Sequence, residues 1–198
     1  MMENAEKLEL NDRLKLIESM MAEGRRKTES WGWSFLLWGV AYYIATAWAT
    51  LGHSNFAWPV TMVAAGILTS VMAARMSSGH PETTLGRAIG AVWSAMGVSL
   101  FVVLICLGAG GRYDAHVFMA IIGAMLATAN ATSAIILRWK MQFACAAVWL
   151  AAAVAACFGS ETVVSIAFLS ATFFCQIVFG IYAMILDARR RQPGAAHA

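Results

Sequence analysis

Charge is what this chain has least of. Asp, Glu, Lys and Arg make up 13% of its 198 residues, against roughly a quarter in a soluble domain. No Asp, Glu, Lys, Arg or His lies deep inside any of the long apolar runs between Trp31 and Leu186. Proton pumps, most ion-coupled carriers and voltage sensors need such groups within the membrane, so those functions are excluded. His53, His80, His116 and His197 fall at links, run ends or the tail. No facing pair of His ligands is left for haem or a di-metal centre, so neither metal nor cofactor is expected. HExxH, phosphate-loop and nucleophile-elbow motifs are missing as well. The chain therefore reads as no enzyme.

Cysteine is scarce and badly placed for disulfides. Cys106, Cys145, Cys157 and Cys175 all lie inside apolar runs, where a thiol behaves as a small hydrophobe. Ser78-Gly79-His80 is one fragment of the lipid-phosphate phosphatase signature. The Lys/Arg-Arg-Pro element upstream and the Ser-Arg…His element downstream are absent, so a membrane-lipid enzyme is set aside.

Apolar sequence is what the chain does have: 60% of its residues are hydrophobic and its mean hydropathy is +0.66. A hydrocarbon layer takes about 20 residues of helix to cross. Six runs meet that length: Trp31–Leu51, Ala57–Met76, Gly86–Gly108, His116–Leu137, Met141–Phe158 and Thr162–Leu186. The fifth is short and Ala-rich. The expectation is an all-α integral membrane bundle of six helices.

Basic residues set the threading. Lys7, Arg13, Lys15, Arg25, Arg26 and Lys27 precede the first span. Arg75 and Arg87 edge one link, Arg138 and Lys140 another, and Arg189, Arg190 and Arg191 the tail. Only Arg112 lies on the opposite side. Both termini are expected in the cytoplasm, with residues 187–198 as a tail. The links are short, so consecutive spans should be antiparallel neighbours. The net charge of +3 follows from this threading and calls for no nucleic acid.

Residues 1–30 differ in kind. They read as a cytoplasmic amphipathic helix, with Gly24 expected to end or bend it. Leu10, Leu14, Ile17 and Met21 are spaced 4, 3, 4, a coiled-coil-like seam, and Leu16 and Met20 widen it. Three partners fit such a seam: the bilayer surface, a second copy, or a cytosolic protein.

Trp38, Trp93 and Trp149 are separated by 55 and 56 residues. Leu51-Gly52, Leu107-Gly108 and Phe158-Gly159 close the corresponding spans. The spacing predicts three parallel helical-hairpin repeats, with the three Trp side chains in one aromatic layer. The competing explanation is that two spans and two short links require about this period anyway.

Small residues at Gly86, Gly90, Ser94 and Gly97, and at Gly123 and Ala127, predict close helix packing. Asn130, Thr132, Ser133, Ser170 and Gln176 are the polar groups that a site between spans would use. Their other reading is structural, each amide bonding to a neighbouring carbonyl because its burial without a partner is costly.

The stretch from Ile17 through Arg25-Arg26 to Phe35-Leu36-Leu37-Trp38-Gly39 resembles the start of small, uncharacterised bacterial multipass membrane proteins, some of them found beside winged-helix regulators. The resemblance implies a bacterial inner-membrane location and an accessory or regulatory role. It implies no site residues. The expected partners are the lipid bilayer and either a second copy or another membrane protein. A small transporter or channel for neutral or apolar solutes is the competing expectation.

Overall fold

The computed structural model describes residues 2–54, 56–76, 84–110 and 114–191. Arg112, the Ser78-Gly79-His80 fragment and the tail beyond Arg191 lie outside them. Every described element is helical. The chain runs through α1 (Met2–Ser30), α2 (Gly32–Gly52), α3 (Ala57–Met76), α4 (Thr84–Ala109), α5 (Ala115–Leu137) and α6 (Lys140–Phe158). It ends in α7 (Glu161–Arg191), which is interrupted by a π-helical segment, Phe173–Val178. Helices α2 to α7 are long and apolar enough to cross a membrane, and they take up the six apolar runs. Short links reverse the chain each time. One end of the bundle therefore collects α1, the starts of α2, α4 and α6, and the ends of α3, α5 and α7. We call it the arm end.

Local chemistry explains several boundaries. Asp114 caps α5, its Oδ1 accepting from the backbone N–H of His116 at 2.7 Å and of Val117 at 3.1 Å. At the other end Arg138 adopts a left-handed conformation with φ 47°, while the N–H of Trp139 returns to the Ala134 carbonyl at 3.0 Å. That pattern closes a helix, although an Arg rather than a Gly occupies the strained position. Helix α1 stops where Trp31 leaves helical geometry at φ −93°, ψ 7°. Gly24 does not end it, and the helix runs on for six more residues. Gly24 is used for close approach instead: a Cβ there would meet Leu137 Cδ2 at 2.7 Å and Leu85 Cδ2 at 2.8 Å.

Helices α5 and α6 form the tightest pair. At Gly123 an added Cβ would lie 3.0 Å from Ala153 Cβ and 3.1 Å from the Trp149 carbonyl. The Ala-rich stretch of α6, the shortest of the six spans, thus serves as a smooth packing face. Helix α7 packs on α6 and α2, while α3 leans mainly on α2, and α4 mainly on α5 and the base of α1. Gly32 and Gly180 face one another where α2 meets α7, each with the other's carbonyl within 2.9 Å of its Cβ position.

The small-residue positions divide. Gly86, Gly123 and Ala127 are buried, whereas Gly90 and Gly97 have nothing within 4 Å of an added Cβ. The packing stripe expected on α4 therefore points outward at Gly90 and Gly97 and is not used within the chain.

Gly123→Leu forces a side chain onto backbone atoms and should destabilise the bundle by about 1–3 kcal/mol. Gly90→Leu, pointing into open space, should stay within about 0.5 kcal/mol as a monomer. Thermal unfolding of the two variants in the same detergent checks the contrast.

Candidate functional site

Two regions carry polar chemistry: the seat of α1 and the interior between α5, α6 and α7.

The seat is built from charge. Arg25 donates from Nε to the Leu137 carbonyl at 2.6 Å and from Nη2 to the Arg138 carbonyl at 3.1 Å. These carbonyls end α5, and a cation is favoured at that pole of a helix. One turn on, the Glu29 side chain is buried, with 2% exposed. Arg190 of α7 donates from Nη2 to Glu29 Oε1 at 3.2 Å. Its Nε lies 3.1 Å from Oε2 as an ion-pair contact without hydrogen-bond alignment. Burial pushes the Glu29 carboxyl above the usual range. Arg190 opposes that shift, Asp187 adds to it, and Arg25 and Arg26 oppose it more weakly. Thr28 is buried beside it, its hydroxyl returning to the Gly24 carbonyl at 3.1 Å.

Beyond this seat the apolar seam is bare: Leu10, Leu14 and Ile17 are 59%, 52% and 52% exposed. Met21, nearest the bundle, is half-buried. At 3.6 residues per turn, all of them fall within about a quarter turn of Gly24. The seam therefore continues the side of α1 that faces the bundle.

The interior is layered. Near the arm end Phe35 touches Trp93 at 5.2 Å and Phe179 at 5.1 Å between ring centroids, and Phe179 touches Trp139 at 5.2 Å. Trp93 Nε1 donates to Ser133 Oγ at 3.1 Å, which ties α4 to α5. Further in lies a second aromatic layer. There Trp58 meets Phe118 at 5.0 Å, Tyr42 meets Phe168 at 5.8 Å, and Trp149 meets Phe168 at 5.8 Å.

Between the two lies a polar layer. One turn inward from Phe35, Ser133, Trp139 and Phe179 come Gly39, Asn130, Gln142 and Gln176. A Cβ on Gly39 would sit 2.9 Å from Gln176 Cβ. Cys175 Sγ is 3.6 Å from the Cys145 carbonyl, which fixes the register of α6 against the π-helical segment. Asn130 Nδ2 donates to the Leu126 carbonyl at 2.8 Å. Asn130, Ser133, Gln142, Thr172 and Gln176 are all buried.

Of the sequence-derived polar set, Asn130, Ser133 and Gln176 are buried. Thr132 is half-buried and Ser170 is exposed, on the outer side of α7, so Ser170 does not line the layer. Gln142 and Thr172 belong to it and were not anticipated. The signal for Gln142 was its spacing from Cys145 and Trp149, which repeats every helical turn. For Thr172 the signal was its spacing of four residues from Gln176, which puts both on one helical face. The three repeat-related Trp residues do not form one layer. Trp93 belongs to the arm-end layer, Trp149 lies about 15 Å beyond the depth of Trp139, and Trp38 packs against Tyr42 at 6.2 Å.

Two open recesses, about 470 and 400 Å³, sit on the outer faces of α4 and α3 and are lined almost wholly by apolar side chains such as Val102 and Val63. They offer no chemistry beyond apolar contact. Among the described residues no group of His, Cys, Asp and Glu side chains gathers in a metal-binding arrangement. No protein-family model matches the chain, and comparisons with curated proteins and with solved structures find no match.

Because the Glu29 pKa is raised in the fold, the folded state holds its proton to higher pH than the unfolded chain. The stability of the seat should fall as pH rises through the window above the ordinary glutamate value. Glu29→Gln should flatten that dependence, whereas Arg190→Ala strands the buried carboxylate and should cost about 1–3 kcal/mol at neutral pH. Release of residues 1–30 by limited proteolysis across a pH series reports both.

Proposed function

We propose that this chain is a non-enzymatic multipass protein of a bacterial inner membrane, both termini cytoplasmic, acting as an accessory or regulatory subunit through helix packing. The observation that carries the reading is α1, a helix fixed at its base and bare at its apolar seam. Fixing costs conformational entropy, and Arg25, Gly24 and the Glu29–Arg190 pair offset it without using Leu10, Leu14 or Ile17. A seam held in place and left exposed is a docking element. The outward Gly90 and Gly97 supply a second contact face, since close backbone approach is the main source of helix association in lipid. Six helices of spanning length and the one-sided distribution of Lys and Arg support the membrane setting.

A second reading, a small transporter or channel for neutral solutes, is favoured by the buried polar layer. It requires a water-filled approach to Gln176, which a cysteine placed there reports by reacting with a water-soluble thiol reagent.

Extraction in mild detergent should give a defined homo-oligomer or a stoichiometric membrane-protein partner. Leu14→Glu with Ile17→Glu, both on exposed positions, should dissociate it while leaving thermal stability within about 0.5 kcal/mol. A monodisperse, partner-free monomer, unchanged by those substitutions or by loss of the arm, overturns the assembly role.

A further inference from the structure

Two of the four cysteines meet in the fold. Cys145 of α6 and Cys175 of α7 are buried, at 6% and 2% exposure, whereas Cys106 and Cys157 are exposed. Cys175 Sγ lies 3.6 Å from the Cys145 carbonyl oxygen, and the two thiols are within hydrogen-bonding reach of each other. A buried cysteine that only fills space acts as a small hydrophobe and needs no second sulfur beside it. Both sulfurs are also firmly supported. Trp149 stands four residues from Cys145 and Phe179 four from Cys175, and both rings are buried, so neither helix can turn its sulfur away without unpacking a large side chain. Cys175 falls inside the π-helical segment, a distortion that often marks a functional position.

We infer that Cys145 and Cys175 are an oxidisable pair, whose oxidation joins α6 to the π-helical segment through a disulfide. The oxidant is a hydroperoxide, uncharged and therefore able to enter the bilayer. One sulfur attacks the outer peroxide oxygen and the O–O bond breaks. The remaining oxygen leaves with that thiol's proton, as an alcohol or, from hydrogen peroxide, as water. The cysteine is now a sulfenic acid. The second sulfur displaces its hydroxyl, which leaves as water with the second thiol's proton. Two thiols lose two electrons and one O–O bond gains them. Burial slows the first step, while sulfurs held side by side favour the second. Charge selects a disulfide over a metal. A soft monovalent cation on two thiolates would keep a negative charge, and residues 117–137, 141–158 and 162–186 contain no Lys or Arg to balance it. Zinc needs further ligands, and no such group gathers among the described residues. A disulfide is uncharged. The pair does not depend on what α1 docks against.

The test uses full-length protein in lipid nanodiscs, one copy per disc, with Cys106→Ala and Cys157→Ala removing the two exposed thiols. After treatment with hydrogen peroxide the protein is unfolded in SDS, free thiols are blocked with N-ethylmaleimide, and the peptides are mapped by mass spectrometry. The expected result is a linked peptide pair containing Cys145 and Cys175, lighter by two hydrogens, released by dithiothreitol and lost in Cys175→Ala. Peptide mapping of the wild-type chain gives the same readout if the double variant does not fold. Blocked thiols at both positions, under conditions that oxidise Cys106 in the wild type, overturn the pair. Sulfinic or sulfonic acid at either position without the link also overturns it.

Discussion

The contact between α5 and α6 is the constraint from which the rest of the bundle follows. Gly123 opposite Ala153 and the Trp149 carbonyl brings two backbones to the distance at which dispersion contacts are strongest. Once that pair is set, the inward faces of both helices are fixed. Asn130 and Ser133 point to the interior because Gly123 and Ala127 do, and Gln142 does because Trp149 and Ala153 do. Helix α7 then covers the exposed side of α6, and α2 covers α7. The peripheral α3 and α4 add rings to the aromatic layers but bury little of themselves.

Polar and apolar layers alternate through the depth of this bundle. Rings pack by area and shape, whereas the amides between them need partners with fixed directions. The arrangement stakes stability on the polar layer, since a partly satisfied polar interior is worse than an apolar one. Large, rigid aromatic side chains on both sides keep that layer apart from the ends of the bundle.

Much of this was legible in the sequence, and the illegible parts have identifiable causes. Six apolar runs announce six helices because spanning length and composition are local properties. The seam of Leu10, Leu14 and Ile17 is legible for the same reason, as a period within one helix. Gly24 was misread because a glycine in a helix marks either a stop or a close neighbour, and only the position of Leu85 and Leu137 decides between them. Ser170 stands six residues from Gln176, about 120° around a regular helix, whereas Thr172 stands four away and shares its face. An inventory of polar residues misses that distinction, and the helical period contains it. The three Trp residues share a sequence period but not a depth, since depth depends on how each helix is offset against its neighbours.

The α5 terminus and the arm share their hydrogen bonds. The carbonyls of Leu137 and Arg138, left over where α5 ends, are taken up by a guanidinium that belongs to α1, next to a backbone already held at positive φ. Lifting the arm off the bundle therefore also uncaps an interior helix. One guanidinium thus serves two ends at once, the seat of the arm and the final turn of the most enclosed helix, and a change that removes it leaves both without a partner.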